Sequence, residues 1–147
     1  MDRNIFIGIT AATLAMVFLL GDQMYVGIWY YIVIPFSAFI LTVLLKPSSF
    51  YLTGVGLAIL VSYTPYYWQN LASTNPEGLL GLGHVFSLPG FFLGIILSAF
   101  YLKNKGKSAY FAALIGFSGP LLGYVINQLV VCNSVMYCGS FLTRING

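Results

Sequence analysis

Five long apolar runs, separated by short polar or glycine-rich segments, dominate the chain. A bilayer core about 30 Å thick needs roughly 20 helical residues to cross it, which is close to the length of these runs. The pattern therefore predicts an all-α, polytopic integral membrane bundle that forms one membrane domain with five transmembrane helices. The predicted spans are residues 5–20, 25–45, 50–68, 85–102 and 109–131, and an outer tail of residues 132–147 follows them.

The first two runs are too long together for a single span. Gly21-Asp22-Gln23 interrupts them, and a tight hairpin there keeps Asp22 out of the membrane core. The alternative is a four-span protein whose first run lies on the membrane surface. Further along, the glycine-rich stretch of residues 78–83 is expected to be a flexible or re-entrant entry into the fourth span.

Composition supports a membrane location. Charged residues make up 6% of the chain and apolar residues 59%, so too few polar groups exist to cover a soluble surface. The few bases lie at the ends of runs rather than along a stripe, which argues against nucleic-acid binding.

The charges also predict an orientation. With the N-terminus in the cytoplasm and the C-terminus outside, five of the six bases lie on the cytoplasmic side, as the positive-inside rule requires. Those five are Arg3, Lys46, Lys103, Lys105 and Lys107, whereas Arg144, Asp22 and Glu77 lie outside. We expect the protein in a bacterial cytoplasmic (inner) membrane.

Aromatic residues concentrate at the predicted outer interface, at the start of the second span and the end of the third. Such a belt anchors helices at the headgroups, but Tyr and Trp also dominate the hot spots of protein interfaces. We therefore predict a partner-binding surface at the outer aromatic belt. Its residues are Trp29, Tyr30, Tyr66, Tyr67 and Trp68.

Small residues recur at four-residue spacing in four of the runs, as they do where membrane helices pack closely. These rows are Gly8 and Ala12, then Gly54, Ala58 and Ser62, then Gly90, Gly94 and Ser98, and finally Gly119 and Gly123. Asn127 and Gln128 are the strongest polar groups within a span, and buried amides need partners. We expect them to cap a neighbouring helix or to contact interfacial water, and the alternative is that they line a polar cavity or an intermembrane contact.

Cys132 and Cys138 are the only cysteines, and both fall in the predicted outer tail. In an oxidising compartment they can form a disulfide. Two free thiols and a redox-active pair are the alternatives, although catalytic dithiols typically use a Cys-x-x-Cys spacing.

Catalytic and metal chemistry finds little support. His84 is the only histidine, so we expect no metal site and no cofactor. Gly116-Phe117-Ser118-Gly119 resembles the Gly-x-Ser-Gly around the nucleophile of rhomboid-like intramembrane proteases, but no histidine follows Ser118 to serve as its base. Ion-coupled transport normally needs an ionisable group inside a span, and none is predicted there.

The remaining expectation is a non-enzymatic membrane protein that binds another membrane protein. It would be an accessory subunit of a membrane complex or, by architecture, an immunity-type protein against a pore-forming toxin. The alternatives are a channel or transporter component near Asn127 and Gln128, and a membrane redox protein that uses the cysteine pair. The expected partners are membrane lipids, a membrane protein or toxin, and a second copy of the chain.

Overall fold

The computed structural model describes residues 1–20, 27–72, 79–103 and 108–134, with the side chains of these ranges except residues 20, 27–28, 66–72 and 79–82. This part of the chain contains five α-helices, so the all-helical prediction is confirmed. They are α1 (Asp2–Leu20), α2 (Gly27–Leu45), α3 (Tyr51–Ala72), α4 (Leu79–Lys103) and α5 (Ala109–Ser134).

The fourth helix begins earlier than its apolar run suggests. It starts at Leu79, inside the glycine-rich stretch that was expected to be flexible or re-entrant. Each glycine lowers helix stability by about 1 kcal/mol relative to alanine. Unsatisfied backbone groups in an apolar environment cost several kcal/mol each, so a helix is still favoured. Residues 79–83 are therefore part of α4.

Three of the described helices are long and apolar enough to cross a membrane. The qualifying segments are Asp2–Leu19, Gly83–Lys103 and Ala109–Ser134, while α2 and α3 contribute the shorter apolar stretches Trp29–Leu45 and Tyr51–Pro65. Large apolar side chains such as Phe36, Leu97 and Leu122 lie on the outside of the bundle. A soluble protein rarely exposes so much apolar surface, so these features indicate a membrane protein.

Glycine brings the helix backbones together at two seams. α4 packs most extensively on α5, followed by α3 on α5 and α1 on α3. A Cβ atom at Gly90 would overlap the carbonyl oxygen of Gly123, and one at Gly54 would overlap that of Ala113. Since any side chain would push these backbones apart, the seams require glycine.

Contacts between the helices show that they alternate in direction. The Asp2 carboxylate accepts hydrogen bonds from the backbone of Leu52 and Thr53, which brings together the first turns of α1 and α3. The Tyr51 hydroxyl at the start of α3 donates to the Ile95 carbonyl oxygen at 2.7 Å, in the C-terminal half of α4, whereas Tyr63 further along α3 contacts His84 near the start of α4. The starts of α1 and α3 and the end of α4 therefore lie at one end of the bundle.

A five-residue connection, residues 46–50, joins α2 to α3 at that same end. Lys46 has a φ of 49° and Phe50 a φ of 67°, the left-handed conformation that favours glycine. The Lys46 amide still donates to the Thr42 carbonyl oxygen at 3.1 Å, so the left-handed residue terminates α2 as a C-cap.

Candidate functional site

A buried histidine lies at the opposite end of the bundle, where α2 and α4 begin. His84 is 5% exposed, and its Nδ1 atom shares a hydrogen bond with the Tyr30 hydroxyl of α2. Tyr63 of α3 is 1% exposed and stacks on the imidazole, with ring centroids 5.2 Å apart and planes at 25°. The histidine thus links α2, α3 and α4.

Two more tyrosines complete this His84 cluster. Tyr124 of α5 lies 5.2 Å from the imidazole between ring centroids. Tyr31 of α2 meets the rings of Tyr30 and Tyr63 edge-on, at 5.4 Å in both cases. Edge-to-face and offset aromatic pairs contribute about 0.5–1.5 kcal/mol each beyond their buried area. Four of the five helices therefore meet around one imidazole.

The two in-span amides connect α5 to α4 close to this cluster. The Asn127 Nδ2 atom donates to the Phe86 carbonyl oxygen at 2.5 Å. The Ser87 hydroxyl lies within hydrogen-bond distance of the Gln128 Oε1 atom and of the Gly83 carbonyl oxygen of its own helix, and these two acceptors share its single proton. Their partners on α4, Phe86 and Ser87, lie within one turn of Pro89, whose ring interrupts the hydrogen-bond ladder of α4.

The cysteine prediction lies partly outside the described residues. Cys132 occupies the last turn of α5, where the Gln128 Nε2 atom lies 3.5 Å from its Sγ atom. Cys138 is not among the described residues, so the pairing of the two cysteines stays a prediction.

An open groove of about 560 Å³ runs along the outer side of the α4–α5 seam. On α4 its lining follows the helical spacing of one face, from Gly90 to Tyr101, and on α5 it runs from Ile115 to Val130. Fifteen steps along α5 at 1.5 Å each give a length of about 22 Å. This α4–α5 groove therefore extends over most of the thickness of a bilayer core.

The groove has apolar walls and a few polar atoms. Leu97 and Leu122 form opposite walls and are 69% and 61% exposed. Ser118 lines the groove and donates to the Leu114 carbonyl oxygen of its own helix at 2.9 Å. Asn127 also lines it, and within the described part of the chain its Oδ1 atom has no hydrogen-bond partner.

No protein-family model, curated protein or solved structure matches this chain. The site must therefore be interpreted from its own geometry.

The predicted aromatic belt divides into two environments. Trp29 is 74% exposed at the start of α2, whereas the neighbouring Tyr30 contacts His84 inside the bundle. The side chains of Tyr66, Tyr67 and Trp68 lie outside the described residues. The predicted recognition surface thus has one exposed tryptophan whose side chain is described.

Catalytic constellations are absent from the described residues. No group of three His, Cys, Asp or Glu side chains that could hold a metal ion occurs among them. Ser118 bonds to its own helix, and the one histidine is engaged with Tyr30. Among the described residues Ser118 therefore forms no hydrogen bond to a histidine that could serve as its base.

The His84 cluster and the α4–α5 groove were not predicted from the sequence. The sequence does carry a signal for the cluster, because tyrosines concentrate at the start of the second run and the end of the third. Whether these tyrosine side chains face the interior of the bundle depends on how each helix is rotated about its axis. A run that is apolar on all sides does not indicate that rotation.

Proposed function

We propose that this chain is a non-enzymatic integral membrane protein that acts by binding another membrane protein through a transmembrane helix seated in the α4–α5 groove. The length of the groove carries the proposal. At about 22 Å it suits a membrane-spanning helix better than a compact ligand.

The chemistry of the groove supports the same occupant. Membrane helices associate through close van der Waals packing and hydrogen bonds between helices, since lipid offers no hydrophobic drive between them. Leu97 and Leu122 supply walls for packing, and the Asn127 Oδ1 atom supplies an acceptor. We expect a partner helix with an apolar ridge and one hydroxyl or amide donor.

The proposed topology has five spans, with the N-terminus in the cytoplasm and the C-terminus outside, in a bacterial inner membrane. Arg3, Lys46 and Lys103 lie at the same end of the bundle, at the start of α1 and the ends of α2 and α4. In this topology the exposed Trp29 lies at the outer interface and is a second contact for the partner. An accessory subunit and an immunity-type protein both use such surfaces.

The geometry gives less support to a channel or transporter component. Both in-span amides bond to α4, so they tie two helices together rather than line a path through the bundle. In a binding role the same amides hold α4 and α5 together. The partner then needs only one acceptor on the groove, the Asn127 Oδ1 atom.

Filling the groove tests the proposal. Ser118→Phe places a large ring inside it and should reduce the amount of partner recovered with the protein from solubilised membranes at least tenfold. Val125→Phe is the matched control, because Val125 is half exposed on the same helix and does not line the groove. Equal recovery with both variants would contradict the proposal.

The outer belt is tested in the same way. Trp29→Ala should weaken partner recovery by about thirtyfold, which is the effect of losing a hot-spot residue worth about 2 kcal/mol. Phe36→Ala is the control, since Phe36 is an exposed aromatic of the same helix away from the belt. If the two variants behave alike, Trp29 is only an anchor in the headgroup layer.

A further inference from the structure

The end of the bundle opposite His84 gathers exposed bases from three helices. Arg3 lies in the first turn of α1, Lys46 follows the last residue of α2, and Lys103 ends α4. All three side chains are exposed. The contacts of Asp2 with Thr53 and of Tyr51 with Ile95 bring these helix ends together. We call this surface the basic end.

The acid closest to these bases in the sequence is engaged elsewhere. The Asp2 carboxylate accepts bonds from the Leu52 amide at 3.3 Å, the Thr53 amide at 2.8 Å and the Thr53 hydroxyl at 2.5 Å. It therefore caps the N-terminus of α3, where the helix dipole favours a negative charge. Within the described residues none of the three bases forms an ion pair.

We propose that the basic end binds the phosphate groups of anionic phospholipids in the leaflet that it faces. The three bases sit at the ends of apolar helices, which is the depth of the headgroups, and long basic side chains reach that layer readily. Their charge is complementary to the negative surface of an anionic leaflet.

Aromatic residues of the same end favour lipid over an acidic protein. Tyr110 is 81% exposed near the start of α5, and Tyr101 is 45% exposed near the end of α4. Exposed tyrosines beside bases at helix ends form the interfacial girdle that sits among headgroups. A contact with a soluble acidic segment would need the bases but not this girdle.

The experiment measures binding of phosphatidylglycerol and phosphatidylcholine to the purified full-length chain in detergent, with the number of bound lipids read by native mass spectrometry. The wild type should prefer phosphatidylglycerol. Each base near an anionic surface contributes about fivefold, from about 1 kcal/mol. The triple variant Arg3→Gln, Lys46→Gln, Lys103→Gln should therefore lose up to about a hundredfold of that preference, with phosphatidylcholine binding unchanged.

Two controls distinguish a specific loss of lipid binding from a change in the net charge of the protein and from a loss of folding. Arg144→Gln removes one positive charge from the predicted outer tail and should keep the preference. Helicity and thermal unfolding without lipid should match the wild type in all variants. The single variant Lys46→Gln, at an exposed connection residue, gives a second readout if the triple variant is unstable, with an expected loss of about fivefold.

Several results would overturn the assignment. If the triple variant and Lys46→Gln prefer phosphatidylglycerol as strongly as the wild type does, the basic end does not bind anionic lipid. Displacement of phosphatidylglycerol by millimolar inorganic phosphate would assign the bases to soluble anions. Displacement by a poly-glutamate peptide at matched charge would assign them to an acidic protein partner.

Discussion

Glycine residues occupy two different environments in this bundle. A Cβ atom at Gly123 would overlap the carbonyl oxygen of Gly90, and a Cβ atom at Gly94 would lie 2.8 Å from the Cα atom of Pro120. At Gly8, by contrast, nothing lies within 4 Å. The same residue type is required at the α4–α5 seam and is replaceable on α1.

Gly123→Ala should lower the free energy of unfolding by about 1–3 kcal/mol, because backbone atoms cannot move aside as a flexible side chain can. Gly8→Ala should leave stability unchanged or raise it by up to about 1 kcal/mol through helix propensity. Reversible unfolding in mixed micelles measures both. A Gly123→Ala variant as stable as Gly8→Ala would contradict the close approach of α4 and α5.

The hydrogen bond between Tyr30 and His84 is the second residue-scale test. Tyr30→Phe keeps the ring contacts but removes the hydroxyl, so it should cost about 1–3 kcal/mol of stability. Tyr110→Phe is the control, since Tyr110 is 81% exposed and should change stability by less than about 0.5 kcal/mol. The same unfolding assay compares them, and equal stability of the two variants would argue against a role for this bond.

At this scale the sequence predicted spacing but not direction. The four-residue rows predicted one helix-packing face with Gly90 and Gly94 and another with Gly119 and Gly123, and the structure shows that these two faces pack on each other. The rows anticipated the same for Gly8, which meets no helix within the described part of the chain. Spacing identifies a small face, but only the packing of the whole bundle decides which small faces find partners.

At the scale of elements, α1 is held to α3 through its first turn. Asp2 accepts three hydrogen bonds from Leu52 and Thr53, and the Phe6 ring lies so close to Gly56 that a Cβ atom there would be 3.0 Å from it. α1 is otherwise the most exposed of the three span-length helices. Its position therefore depends strongly on this end contact.

Asp2→Ala should lower the free energy of unfolding by about 1.5–3 kcal/mol, the usual contribution of hydrogen bonds to a charged group. Asp2→Asn should cost less, since the amide oxygen still accepts a bond from the α3 backbone. Asn4→Ala, an exposed neighbour, serves as the control in the same assay. An Asp2→Ala variant as stable as Asn4→Ala would contradict the capping role of Asp2.

The helices themselves were largely predictable, whereas their contacts were not. Each apolar run overlaps one of the five described helices, because a long apolar run favours a helix that satisfies its own backbone hydrogen bonds. The early start of α4 was missed, since glycine normally marks loops in soluble proteins. The meeting of His84 with Tyr63 and Tyr124 joins residues far apart in sequence, which runs of uniform hydropathy cannot indicate.

At the scale of the whole molecule, the alternating helices place Arg3, Lys46 and Lys103 at one end and the His84 cluster at the other. The proposed orientation predicts that a reporter active only outside the cytoplasm is active when fused after residue 147 and inactive after Lys105. Expression of a cytoplasm-specific reporter at the same two positions is the control. The reverse pattern would invert the topology and would place the basic end outside.

Function could not be obtained from the fold, because a bundle of apolar helices serves many purposes. The sequence favoured partner binding mainly by arguing against other functions. It has no predicted charged group within a span, which coupled transport needs, and no cluster of metal ligands, which metal chemistry needs. The structure adds the groove between α4 and α5, on which we propose that a partner helix docks.

The most direct test of partner binding is site-specific photo-crosslinking in intact membranes. A crosslinker at Leu122, on the wall of the groove, should give one discrete protein adduct that Ser118→Phe abolishes. A crosslinker at Val125, outside the groove on the same helix, should give only lipid adducts. Lipid adducts at both positions, or the same protein adduct at both, would contradict a partner helix seated in the α4–α5 groove.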